Sequence, residues 1–213
     1  MKHKDNVVEL KKLRLQSIQV GLIGTSPLIM HRWSTKAREE MLHKQMKKAK
    51  TAKMAKDPQR DFEESIYTDA QGAPAFPSVA FKSAAVDAAA AMDLVKTNLR
   101  QSFHIEGDLV PILGDEPTPR EDMVRIGMGT ADIRHRAQFT KWGTVLSITL
   151  NVDMLSIEQL IALFDAAGFG IGVGEWRPQR DGQFGRFKVA SEAQTKSLLG
   201  MLAKRATALR AVS

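Results

Sequence analysis

No cysteine occurs among the 213 residues, which excludes disulfide staples, thiolate metal sites and a cysteine nucleophile. That usage fits a reducing compartment, and a cytoplasmic location is the expectation. No apolar run is long enough to span a bilayer. The first residues, MKHKDNVVELKKLRLQ, carry charge where a signal peptide needs an apolar core, so no membrane partner is expected. There is no G-x-x-x-x-G-K-[ST] loop, and nucleotide hydrolysis therefore has no support. Regular metal-ligand spacing is also lacking. Asp115 and Glu116 sit in a proline-flanked turn that a solvated acidic loop explains, so neither metal nor cofactor is expected.

What is present is positive charge. The formal net charge is +7 and the isoelectric point is near 9.7. Such an excess raises the local concentration of polyanions and favours nucleic acid over acidic small molecules. The chain length suits one domain, residues 1–213, carrying insertions at 34–72 and 98–142.

Leu13, Leu15, Ile18, Val20 and Leu22 alternate with polar neighbours, implying a strand with a phase slip near Ser17 that suggests a bulge; Thr25-Ser26-Pro27 ends it. Lys36 to Lys56 is lysine-rich with few large apolar residues. It reads as an exposed helix or as an arm that orders on an anionic partner. Pro77 to Lys96 has a serine cap candidate at Ser78 and a helical stripe of Phe81, Ala85, Ala88, Met92 and Val95. From Asn98 to Trp142 turn residues dominate, and loops broken by short strands are expected.

Leu146, Ile148 and Leu150 then mark a strand, and Ser156-Ile157-Glu158-Gln159 is a capping box. The helix it opens buries Ile157, Leu160, Ile161, Phe164 and Ala167, with Gly168 at the place of a left-handed C-terminal cap. After the glycine-rich loop, Phe187 and Val189 form a last strand, and a basic amphipathic helix uses Leu198, Leu202 and Leu209. Two strand-helix units closed by a strand predict an α+β, ferredoxin-like (RRM-like) split βαβ fold. Its sheet is antiparallel, a basic insertion follows the first strand, and a helix ends the chain.

The loop Gly168 to Arg186 reads GFGIGVGEWRPQRDGQFGR. A dinucleotide fingerprint follows a strand, opens a helix and needs a glycine where Arg177 stands, so that reading fails. Gly170, Gly172, Gly174, Gly182 and Gly185 let a backbone approach an extended ligand. Arg177, Arg180 and Arg186 can meet phosphates, and Trp176 offers a stacking surface. The alternative is that the glycines only turn the chain. Arg134-His135-Arg136 and Lys141-Trp142 place cations beside an aromatic ahead of a strand, which suits phosphate contact and base stacking as well as a solvated loop.

The passage Leu150 to Val189 resembles the C-terminal half of the RAMP superfamily of CRISPR-associated proteins. Ile23 to Met30 (IGTSPLIM) is similar to that superfamily's first strand and turn, and Ala75 to Ala85 (AFPSVAFKSAA) to its proline-serine-x-x-lysine helix start. The order of the three passages agrees; Val79-Ala80 and the long middle depart from the pattern.

The resemblance implies a non-catalytic protein that coats single-stranded RNA or DNA as a homo-oligomer or filament, like the backbone subunits of CRISPR effectors. Lys82 would then be a phosphate contact, and the basic insertion would reach a neighbouring subunit or pin the strand. G-x-G-E-W-R-P followed by F-G-x-F also resembles proteins of bacteriophage genomes, which implies a phage-borne relative that coats nucleic acid or interferes with a host complex by protein contact.

Some members of the superfamily cut RNA without metal, which makes His31 a catalytic candidate. Such a base needs an orienting partner and a group that stabilises the phosphorane. His104 and His135 have no stronger claim.

Overall fold

The first alternating segment folds as its pattern implies. In the computed structural model, which describes residues 12–33, 35–46, 56–126 and 129–210, β1 (Leu15–Gly24) turns Val20 and Leu22 into the core. After the bend come β2 (Leu28–Met30), α1 (Thr35–Gln45), α2 (Pro58–Glu64), β3 (Ala75–Pro77) and the central helix α3 (Ser78–Ala88). A 3-10 turn over Ala89–Met92 precedes α4 (Lys96–Ser102), β4 (Phe103–Ile105), β5 (Leu109–Pro111) and β6 (Leu113–Gly114). β7 (Thr118–Ile126), β8 (Thr130–Phe139), β9 (Trp142–Asn151), α5 (Ile157–Gly170), β10 (Phe187–Val189) and α6 (Glu192–Arg210) complete the order.

The main sheet runs β10-β1-β9-β4, with β6 also paired to β9 and every pairing antiparallel. β1 reaches β4 through α3, and β9 reaches β10 through α5. That interleaving is the split βαβ order, so the expected α+β, ferredoxin-like class holds.

Phe81, Ala84 and Ala85 of α3 share one core with Leu160 and Phe164 of α5 and with Leu22, Leu146, Ile148 and Leu150 of the sheet. Each such fully buried Leu or Phe contributes about 1.5–3 kcal/mol. Val145 points to the other face, where it packs with Leu113 and with Leu198 of α6. A depression on that face is lined by Ser17, Gln19, Glu106, Ser147 and Thr149.

Several expectations need correction. Residues 98–142 are not irregular: they hold the β4 strand of the main sheet and the β7–β8 hairpin, paired from Thr118↔Gln138 to Ile126↔Thr130. The hairpin escapes a hydrophobicity pattern because the ion pair Asp122–Arg136 takes two of its buried positions, and the buried apolar residues Ala137 and Phe139 stand together at one end of β8.

Nor is all of 34–72 an arm. Phe62, Ile66 and Tyr67 pack on the core, and the buried Ser65 hydroxyl accepts the Ala137 N–H at 2.8 Å. Residues 47–55 of the lysine-rich run lie outside the described residues.

β1 carries no bulge, since its register with β9 steps evenly from Leu15↔Asn151 to Ile23↔Gly143. α3 ends early at the 3-10 turn, leaving Val95 exposed, and Ser78 is its first residue rather than its cap. The Ser78 hydroxyl instead donates to the Gly107 carbonyl at 2.5 Å. The Ser156–Gln159 capping box is present, but α5 runs to Gly170 and buries Leu163 where Ile161 was expected.

Candidate nucleic-acid interface

Gly168 lies inside the last turns of α5, where a Cβ would fall 2.0 Å from the Phe187 carbonyl oxygen. Only glycine lets β10 come this close to the helix. Gly185, at φ +64°, is more constrained still, its Cβ position lying 1.7 Å from the Val173 oxygen. Gly172, Gly174 and Gly182 are likewise crowded by the chain itself, whereas Gly170 faces open space. The close approaches that the glycines permit are therefore mostly internal.

Backbone hydrogen bonds give the loop its shape. Val173 N–H donates to Gly185 at 3.0 Å, and Phe184 N–H donates to Trp176 at 3.0 Å. Two more bonds tie the loop to β2 and the turn before it: Glu175 N–H to Ile29 at 3.0 Å and Gly185 N–H to Pro27 at 2.7 Å. With these groups satisfied, side chains can be held at fixed positions along it.

One side-chain chain anchors the loop to α3. The Lys96 ammonium and the Gln179 amide both donate to Asp87, each at 2.8 Å. Arg177 Nε donates to Gln179 at 3.2 Å, and its NH1 donates to the Gly174 carbonyl at 3.1 Å. Lys96, Gln179 and Arg100 together hold the Asp87 carboxyl below the ordinary aspartate range, Lys96 most strongly.

A second chain ties the loop to β2 and the hairpin. His31 Nδ1 lies 3.5 Å from Glu175 Oε1, and Arg136 NH2 lies 3.7 Å from Glu175 Oε2. Arg136 is 3% exposed and pairs with Asp122 at 3.2 Å; Arg120 reaches the same carboxylate at 2.9 Å. The Arg120 guanidinium also sits 4.7 Å from the centre of the Phe184 ring. His31, then Arg136 and Arg134, hold the Glu175 carboxyl low against the opposing effect of burial.

Two clefts meet at His31. The first, about 250 Å³, lies between α3 and the loop, and its walls include Tyr67, Ser83, Gly172, Gly174, Glu175 and Arg177. The second, about 160 Å³, lies between α2 and the hairpin, with Arg32, Lys56, Asp132, Arg134 and His135. Lys56, then Arg134, hold the Asp132 carboxyl below its ordinary range; their ion pairs measure 2.6 and 3.4 Å. Burial pushes the Tyr67 hydroxyl pKa up, Arg32 acting in the opposite direction.

Of the residues singled out in the sequence, the structure brings His31, Lys56, Arg134, His135, Gly172, Gly174 and Arg177 to these clefts. Trp142 does not stack on a ligand here. It is 3% exposed, wedged against Phe81 and Phe187, and its indole N–H donates to the Ser26 carbonyl at 2.8 Å. The phosphate role read for Arg136 is corrected in the same way, because its charge is buried and paired with carboxylates.

Lys82 lies elsewhere, its ammonium 5.6 Å from the Phe103 ring centre and 3.2 Å from His104 Nδ1, and burial lowers its pKa. Lys141, Arg180, Gly182, Gly185 and Arg186 line neither cleft. Arg180 is exposed, while Arg186 Nε is buried with no acceptor among the described residues. Trp176 holds φ +53° and keeps 41% of its surface open, which leaves it available for stacking.

Sequence reasoning missed Glu175, Tyr67 and Gln179. The signal for Glu175 was an acid between the glycines and Trp176-Arg177 of a loop whose net charge is positive. Among the described residues no group of three or more His, Asp and Glu could hold a metal ion, and no helix is long and apolar enough to cross a membrane.

No family model matches the chain, and no curated protein does. Among solved structures, the crystal structure of Cmr6 from Pyrococcus furiosus is similar over 84% of this chain and 100% of that one, at 10% identity and a TM-score of 0.45. A likeness at that level leaves the functional reading to the geometry.

Proposed function

We propose that the chain binds single-stranded nucleic acid along the two clefts that meet at His31. The observation carrying this reading is the convergence of Arg32, Lys56, Arg134 and Arg177, drawn from four separate segments, on adjoining clefts of a basic protein. Cations that track a backbone beside a Trp176 face left open to bases suit a sequence-tolerant single-strand groove. RNA is the favoured strand, because the ordered motifs resemble RNA-coating subunits, and copies would line up along it. Affinity should fall steeply with salt, since neutralised phosphates release counterions. An affinity for a long single strand that is the same at low and high salt would end this reading. Sizing of purified protein, with its absorbance ratio, tests the row of copies: a coating protein carries host RNA and elutes large.

A second reading has a specific observation behind it. His31 has the carboxylate partner that a general base requires, at 3.5 Å, with Tyr67 and Arg177 lining the same cleft. Metal-independent RNA cleavage through His31 is the activity this would support. Labelled RNA incubated in chelator with wild type and with His31→Ala decides it: cleavage that is equal in both, or absent from both, removes it.

A further inference from the structure

The cavity between α3 and the glycine-rich loop differs from a phosphate groove in two respects. Phe76, Ala80 and Ile171 give it apolar walls, and a carboxylate stands inside it. Phosphate oxygens would be repelled by Glu175, which His31 and Arg136 keep ionised. The contacts of Glu175 to those two residues, 3.5 and 3.7 Å, are long, and each carboxylate oxygen has two lone pairs, so both oxygens retain accepting capacity. The side chain is also 41% exposed, and it lines the cavity. What such a site can receive is a flat, partly apolar group that presents hydrogen-bond donors side by side.

We propose that this cavity takes one unstacked guanine, whose N1–H and N2–H donate to the two Glu175 oxygens. The proposal rests on the nucleic-acid reading above and deepens it from backbone binding to base selection. At about 250 Å³ the cavity is below the usual size of drug-like sites and fits a single base. Single-stranded recognition splays bases out and reads their Watson–Crick edges in this way. Guanine is the base that suits a carboxylate there, because its edge carries two adjacent donors. Uracil flanks its one N–H with carbonyl oxygens, while adenine and cytosine offer one exocyclic amine beside a ring acceptor. Charge-assisted, bidentate pairing is the stronger class of hydrogen bond. Gln179 and Arg177, held by Asp87, keep the loop wall in place while the base enters.

The test is fluorescence anisotropy with a short oligouridylate carrying a single guanosine, a single inosine, a single adenosine or no replacement. Guanosine should bind about tenfold tighter than adenosine or plain oligouridylate, the range of a good bidentate pair. Inosine, which lacks the N2 amine, should fall between. Glu175→Gln should bring the affinity for the guanosine strand down to that for plain oligouridylate, erasing the preference. Ser83→Leu, a substitution on the exposed rim that fills the cavity, should do the same without touching the Arg136 pair. Equal wild-type affinity for all four strands overturns the guanine site and leaves the binding function standing. No affinity for any strand removes both.

Discussion

The Arg136 guanidinium of β8 lies 3.7 Å from the Glu175 carboxylate of the glycine-rich loop, and it is the more buried partner by far, 3% against 41% exposed. One cation thus joins the hairpin to the loop while also satisfying Asp122 inside the hairpin. A buried charge whose partner is deleted is costly, whereas an apolar replacement of the whole pair is often neutral. Arg136→Ala should therefore lower stability by about 3–5 kcal/mol in urea unfolding. Arg136→Met combined with Asp122→Leu should recover most of that. A single-variant loss under about 1 kcal/mol would show the pair to be solvated.

The glycines separate into those the fold needs and one it does not. Gly185→Ala forces a side chain into a positive φ and against Val173, and should cost more than the roughly 1 kcal/mol that loss of glycine freedom involves. Gly170→Ala meets open space at the end of α5 and should be neutral or stabilise by up to about 1 kcal/mol. Thermal melts of the two variants check this, and equal shifts would contradict it.

Acid should loosen the loop's attachments. Asp87, Asp132 and Glu175 all have folded-state pKa values below their ordinary ones. The stability they add is fully present above the unfolded carboxylate range, near 4, and is lost as pH falls through the lower folded values. Unfolding free energy should thus decline below about pH 4, and Asp87→Asn should flatten part of that decline. Identical pH profiles for wild type and Asp87→Asn would remove Asp87 from the account.

Salt dependence can sort the cations. Arg32→Ala and Arg134→Ala, both in the second cleft, should each weaken binding to single strands and reduce the log–log salt slope by about one. Lys82→Ala should leave the slope unchanged, because Lys82 lines neither cleft. An effect of Lys82→Ala as large as that of Arg134→Ala would move the strand towards β4.

Where local periodicity reports burial, the fold was legible in the sequence. Val20 and Leu22, the Leu146–Leu150 alternation and the Ser156–Gln159 capping box mark β1, β9 and α5, and their order with α3 implied the sheet. The hairpin was not legible, because Asp122 and Arg136 read as polar positions and become interior only once paired.

Of the candidate site, sequence alone singled out a glycine-rich, arginine-bearing loop in a basic chain, and the family resemblance made His31 a candidate. Whether a side chain faces ligand or core depends on what packs against it from distant segments, and that is decided by tertiary structure. Trp142 is taken into the core by Phe81 and Phe187, Gly185 is required by the Val173 backbone, and Glu175 is set between His31 and Arg136. Contacts such as these, made across more than a hundred residues of chain in the case of His31 and Glu175, leave no periodicity to read, since they arise from the way the sheet brings β2, the hairpin and the loop together.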